Sequence, residues 1–230
     1  MIFMAMSASP SPAPLLTKES WSDTVKRNHD STNESFPYVD WDYWLSLNPD
    51  IVGWVTVPDT CINYPIVQAP ANDPDYYLTH DIYRHYNIYG VPYLDAACAE
   101  NGLLGSFQSL VYAHHMSDGS QFAAFASYSD KAYASQHQTI LIQTPDESQL
   151  TYRARYIQII PGTQTKRTAF VSRDDYLMWY ETQLTHASVT LDATTRPDSV
   201  ITFVTCSYHY SQNERTLVTA SLDTTTSSYS

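Results

Sequence analysis

Hydrophobic and polar positions alternate along this chain in short bursts. Ile51 to Val57 alternates as a strand, and Pro58-Asp59 follows as a turn. Ile62 to Gln68 reads as a second strand, bent or at an edge because Pro65 interrupts it. Val91 to Asp95 is a third, and Phe107 to Ala113 a fourth that ends on His114. Thr139 to Gln143 and Gln149 to Ile160 flank Pro145-Asp146-Glu147 as a hairpin. The last pair is the most strongly patterned. Val200 to Val204 is an unbroken β-branched and aromatic run ending at Thr205-Cys206, and Thr216 to Leu222 is its partner beyond a polar loop, with Arg215 at its start.

Helical spacing is rarer. Tyr38 to Leu47 sets Val39, Trp41 or Tyr43, Trp44 and Leu47 on one side, which predicts an amphipathic helix with an aromatic packing stripe. Asp75 to Tyr83 and Gln121 to Tyr128 read as short helices, the latter capped by Ser120. Ser172 to Thr185 reads as a longer one, with Ser172 as cap and Asp174-Asp175 favourable in the first turn. Met1 to Pro37 is a polar, poorly patterned segment with one helical turn expected around Trp21 to Lys26. Residues 224–230 form a polar tail, so the folded domain is expected over 38–223. Eight short strands with few helices predict a mostly β fold, a barrel or a sandwich.

Composition narrows the function. The net charge is -12, from 24 acidic and 12 basic residues, and no Lys/Arg cluster exists to follow a phosphate backbone. Nucleic acid is therefore excluded as a partner. An acidic surface instead suits a cationic partner such as an amine-bearing acceptor. No window reaches the ~18 apolar residues of a membrane span. Cys61, Cys98 and Cys206 are too few for a disulfide framework, and all three are read as unpaired.

The candidate chemistry sits at two strand ends. Cys206 closes one strand and Arg215 opens the next, which sets a thiol beside a guanidinium at one sheet rim. A thiolate is the reactive form of cysteine, and cations favour it. Leu110 to Ala113 delivers His114 and His115, and histidine is the usual base for a cysteine nucleophile. Adjacent strand residues face opposite ways, so only one of the two imidazoles reaches the thiol. Cys206 and His209 are spaced as half of a zinc site, but no second pair matches them, so no metal or other cofactor is expected.

At these residues the chain resembles the sortases. Thr202-Phe203-Val204-Thr205-Cys206 looks like the "TLxTC" signature, Arg215 stands in the place of the downstream arginine, and Tyr112-Ala113-His114 looks like the "Y-G-H" motif. Asn48 to Trp54, Tyr64 to Gln68 and Tyr77-Leu78 resemble the N-terminal half of class B sortases. The resemblance implies an eight-stranded sortase-type β-barrel with an N-terminal helical extension and a helix between the sixth and seventh strands. It implies Cys206, His114 and Arg215 as catalytic residues, and it favours His114 over His115. It implies a groove walled by Tyr77 and Leu78 and bordered by the Pro161 to Phe170 loop, with Asn72 and Thr205 as further substrate-binding residues.

The implied activity is cysteine transpeptidation. A protein with a C-terminal sorting signal resembling Asn-Pro-x-Thr would be cleaved through a thioacyl intermediate and passed to a cell-wall amine at the outer face of the membrane. The membrane anchor usual in that family is not expected within this sequence. A thiol endopeptidase that only hydrolyses, and a silent binding module, stay open as alternatives. Three departures bear on them: Ala113 replaces a glycine, Val204 stands where many class B members have serine, and His115 sits beside His114.

Overall fold

The computed structural model describes residues 36–164, 166–207 and 213–224. The chain divides into 1–39 and 40–230, and the second unit carries the fold. The turn expected around Trp21 to Lys26 lies outside the described residues.

Nine strands are described: β1 (Ile51–Thr56), β2 (Asn63–Gln68), β3 (Tyr93–Leu94), β4 (Gln108–Tyr112), β5 (Thr139–Gln143), β6 (Gln149–Pro161), β7 (Val189–Thr190), β8 (Val200–Ser207) and β9 (Glu214–Leu222). They run in the order β5-β1-β2-β3-β4-β8-β9-β6, and a β5–β6 pairing closes the ring. The expected eight-stranded barrel is thus present, with β7 as a two-residue strand paired to the edge of β6 beyond the point where β5 ends. Closure removes the exposed edges that an open sheet would present.

Two neighbour pairs are parallel, β2–β3 and β4–β8, and the rest are antiparallel. β2 is not an edge strand, since it pairs with β1 along its length and with β3 through Val67 and Gln68. Pro65 is tolerated because β3 reaches only those two residues, so no second ladder needs its missing N–H.

The interior is filled from alternate strand positions. Val111 and Ala113, Ile201 and Phe203, and Val218 and Ala220 point inward with Ile66, Ile140 and Ile157. A short helix, α2 (Ala123–Ala126), plugs the barrel: the Phe125 ring stacks on Phe203 at 4.9 Å between centroids, and Phe122 meets Phe203 edge-on at 5.8 Å. Each such ring stabilises by about 1.5–3 kcal/mol when fully buried.

The helices correct several expectations. α1 is shorter than its pattern, Trp41–Leu47, because Asp40 caps it by accepting from the Tyr43 N–H at 3.0 Å. Of its aromatic stripe only Trp44 is buried, 5.2 Å from the Trp54 ring centroid. Asp75 to Tyr83 contains a single 3-10 turn, Tyr76–Leu78, rather than an α-helix. Ser120 does not cap α2, because Gln121 takes a positive φ of 56° and delays the helix to Ala123. The segment after α2 holds an unforeseen helix, α3 (Lys131–Gln136), capped by the Asp130 carboxylate. α4 (Arg173–Thr185) matches its reading: Ser172 Oγ accepts from the Asp175 N–H at 3.2 Å, and Tyr176 and Tyr180, one turn apart, are buried against Tyr156 and Val200. It lies between β6 and β8, the sixth and seventh strands of the ring.

Candidate active site

β8 is buried on both faces along nearly its whole length, with only Cys206 partly exposed. Its inward residues enter the core. Its outward residues change character along the strand. Val200 lies under α4. Thr202 lines a polar pocket of about 80 Å³. Val204 joins Leu110, Ile160 and Leu217 in an apolar floor edged by Tyr112. Cys206 comes next, half-buried at the rim, with a free thiol.

Register brings the other groups to this rim. Cys206 faces Arg215 directly across the β8–β9 ladder. The Val204 carbonyl accepts from the Ala113 N–H on the β4 side at 3.2 Å. Backbone groups alternate in direction along a strand, so those of Cys206 also point toward β4. Cys206 and Arg215 are therefore a non-hydrogen-bonded pair, the closer kind, with Cα atoms about 4.5 Å apart. On the other side, β4 runs parallel to β8 and ends at Tyr112 opposite Val204. The Ala113 N–H carries the pairing one residue past the strand, and His114 follows directly after it at the same end of the sheet as Cys206.

His114 Nε2 lies 2.8 Å from the Leu78 carbonyl oxygen. A carbonyl only accepts, so Nε2 carries a proton and donates it here. His115 is turned to a different partner: its Nδ1–H donates to the Cys206 carbonyl at 3.1 Å. Ala113 is not among the residues with positive φ, so it sits here without the strain that a glycine position would impose, buried in the barrel core.

The Arg215 guanidinium donates to the Glu214 carbonyl at 2.9 Å and packs against Gly162. A Cβ on Gly162 would stand 2.4 Å from Asn213 Oδ1 and 3.1 Å from Arg215 Nη1. Lys166, from the loop after β6, holds its ammonium 5.7 Å from the Tyr112 ring centre. Burial pulls the Lys166 pKa down and nearby Arg215 adds to this, against a smaller opposing effect from Asp95. Tyr112 in turn donates to Asp95 at 3.0 Å. Among the described residues, neither Lys166 nor Arg215 forms an ion pair with a carboxylate.

The residues expected to bind substrate fare differently. Leu78 is half-buried and touches His114 through its carbonyl. Tyr77 is fully buried, and its hydroxyl donates to Asp50 at 2.6 Å and accepts from Asn48 at 3.0 Å. It backs the wall rather than forming its surface, because a 3-10 turn cannot send two adjacent side chains the same way. Thr205 shares the inward parity of Phe203 and is 1% exposed, so its side chain does not line the outer face. Asn72 is exposed in the loop after β2.

Sequence reasoning set the Pro161 to Phe170 loop at the groove but singled out neither Gly162 nor Lys166. Gly162 had a signal: only six glycines occur in 230 residues, and this one directly follows a strand. Lys166 had none. Cys98 is buried with Sγ 3.7 Å from the Gln108 carbonyl oxygen, and Cys61 directs its Sγ to the Gly119 carbonyl at 2.8 Å. His209 lies outside the described residues, among which no group of three His, Cys, Asp or Glu is arranged to hold a metal. Nor is any described helix long and apolar enough to cross a membrane.

Comparison with known proteins identifies the family. The sortase domain profile matches residues 55–223. Sortase B of Listeria monocytogenes is 32% identical over 167 residues, 70% of this chain and 64% of that protein. Sortase B of Staphylococcus aureus is 26% identical over 179 residues, 75% of this chain and 69% of that protein. The chain thus spans about two thirds of the length of these relatives. Among solved structures, Clostridium perfringens sortase B superposes with a TM-score of 0.71 at 22% identity, over 79% of this chain and 98% of that one. The S. aureus sortase B–substrate complex gives 0.69 at 22% identity, over 80% and 84%. Profile, sequence likeness and barrel together show that the chain belongs to the sortase family, with class B members among its relatives.

Proposed function

We propose that this chain is a cysteine transpeptidase that cleaves a C-terminal sorting signal and passes the carboxyl side to an amine. The observation that carries the reading is the register around β8, which sets Arg215 opposite Cys206 and ends β4, two residues before His114, opposite Val204. The His114 Nδ1 lone pair takes the thiol proton. The Cys206 sulfur attacks the scissile carbonyl while Arg215 donates to the oxygen on which charge develops. His114 then protonates the leaving amine, the C–N bond breaks, and a thioacyl enzyme remains. An incoming amine gives its proton to the same nitrogen, attacks the thioacyl carbon and expels the thiolate.

The outer face of β8 supports a peptide substrate of limited length. From Cys206 to Thr202 is four residues, or about 13 Å of strand. A peptide extended from the reacting carbonyl covers that span in about four residues. Its upstream residue then reaches the pocket formed by Gln108, Gln158, Gln183, Thr202, Thr219 and Lys166, whose amides and hydroxyls suit a polar side chain. The Val204–Leu217 floor suits an apolar residue between. Both fit a signal resembling Asn-Pro-x-Thr. The acidic chain favours a cationic amine as acceptor, consistent with a cell-wall amine at the outer face of the membrane.

The test incubates the protein with an Asn-Pro-x-Thr-containing peptide and a small amine, and reads product mass. An amide adduct that disappears in Cys206→Ala and in His114→Ala is expected. Free acid alone, with and without amine, would mean a hydrolase. No product from a folded protein, or full activity in Cys206→Ala, would overturn the reading.

A further inference from the structure

His115 has no task in the reaction just described, yet its ring touches the nucleophilic residue. We infer that His115 is a positioning residue that holds the Cys206 peptide in place where the β4–β8 ladder has run out. The inference rests on the transpeptidase reading for its meaning, but not for its test.

The parallel ladder sets the argument. The Val204 carbonyl accepts from the Ala113 N–H. In a parallel pair the next acceptor on β8 is the Cys206 carbonyl, and the next donor on the β4 side would be the His115 N–H. The chain does not continue that way. The His114 carbonyl accepts from the Phe122 N–H at 2.9 Å, and His115 bridges to Gln121, so this stretch is paired with the segment that leads into α2. The side chain of His115 takes over instead, and its Nδ1–H reaches the Cys206 carbonyl at 3.1 Å.

β9 does not supply this bond. Cys206 and Arg215 are a non-hydrogen-bonded pair, so the ladder to β9 closes at Thr205 and Ser207 on either side of the cysteine. An orphaned carbonyl on the reacting residue itself would let the strand end swing. Misplacement of reacting groups by a fraction of an ångström is costly to rate. The effect belongs in kcat, because His115 bonds the nucleophile's backbone and lines neither the apolar floor nor the polar pocket.

Substitutions separate this role from a base or a packing role. The Nδ2 of asparagine occupies nearly the position of histidine Nδ1 relative to the backbone and also donates. His115→Asn is expected to keep kcat within about threefold of wild type, while His115→Leu loses about tenfold in kcat with KM unchanged, the scale of one hydrogen bond. His115→Asp, the same shape with an acceptor facing an acceptor, is expected to lose at least as much as Leu. Alkylation of Cys206 by iodoacetamide, followed by peptide mass mapping to separate it from Cys61 and Cys98, should slow in Leu and Asp but not in Asn. Equal loss in Asn and Leu would overturn the inference, as would wild-type kcat in Leu. An Asn variant as inactive as His114→Asn would make His115 the base. If wild type forms no amide product, the transpeptidase reading fails, and the alkylation series still decides the positioning role.

Discussion

Adding one methyl group at Gly162 tests whether Arg215 works by where it stands. Gly162 carries no positive φ, so alanine fits its backbone and the perturbation is steric. The new Cβ would lie 3.1 Å from Arg215 Nη1, 3.2 Å from its Cζ and 2.4 Å from Asn213 Oδ1. Ordinary carbon contacts need about 3.5 Å or more, so the guanidinium must retreat by several tenths of an ångström. Removing an oxyanion donor outright costs about 10²–10³ in kcat, so displacing one by this much should cost about tenfold. Stability should move by less than about 1 kcal/mol, because loss of glycine's freedom in the unfolded chain offsets the strain. The assay is steady-state peptide transfer with kcat and KM fitted separately, alongside urea unfolding. A second variant isolates the cause: adding Asn213→Gly removes the shorter contact but leaves the Arg215 contact, so it should not restore kcat. Wild-type kcat in Gly162→Ala, or full rescue by Asn213→Gly, would refute the argument that Gly162 seats Arg215.

Two further outcomes follow from groups away from the thiol. Arg155 is 7% exposed and donates to Asp192 at 2.8 Å. Burial raises the Asp192 pKa, but hydrogen bonds from Thr195 and Thr194 outweigh it and hold the carboxyl well below its usual range. With the native pKa below the unfolded one, its stabilisation is complete above about pH 4 and fades as pH falls through the native value. Asp192→Asn should therefore cost about 2 kcal/mol at pH 7, less than a fully buried pair because Asp192 partly meets water, and the gap should narrow in acid. Urea titrations at both pH values check it, and a gap that is absent at pH 7 or constant in acid would count against it. Tyr77 is pushed up to about 12, first by burial, so its phenol stays a neutral donor to Asp50 at working pH. Tyr77→Phe should lower stability by about 1–2 kcal/mol and kcat a few-fold, since the adjacent Leu78 carbonyl orients His114; unchanged kcat would sever that link.

The last hairpin was legible in the sequence because two runs rich in β-branched residues flank one polar loop, and that pairing sets Cys206 opposite Arg215. It could not separate His114 from His115 by alternation. β4 stops at Tyr112, and the two imidazoles then part, His114 to the Leu78 carbonyl and His115 to the Cys206 carbonyl. Tyr77 and Leu78 read alike in sequence, and only the 3-10 turn buries one while leaving the other at the surface. α3 was missed because Lys131 to Gln136 has no apolar stripe, although Asp130 is an ordinary cap signal. Ser120 failed as a cap for a local reason, the positive φ at Gln121, which no residue preference announces.

The mixed topology explains why three residues so far apart in sequence converge. A histidine just past the end of β4 and a cysteine near the end of β8 lie at the same rim only because these neighbours run parallel. Had they been antiparallel, the five-residue β4 would carry His114 to the opposite end, about 17 Å away. Arginine has the reverse requirement. It opens β9, so it meets the end of β8 only because that pair is antiparallel. A nucleophile on a strand with one parallel and one antiparallel neighbour can thus draw a base from the end of one and a cation from the start of the other. The parallel neighbour demands a long crossover, and here β5, β6, α4 and β7 all fall between β4 and β8. That crossover also carries Gly162, Lys166 and α4 over the outer face of β8. The same connection that makes the parallel pairing possible therefore builds the wall beside the thiol.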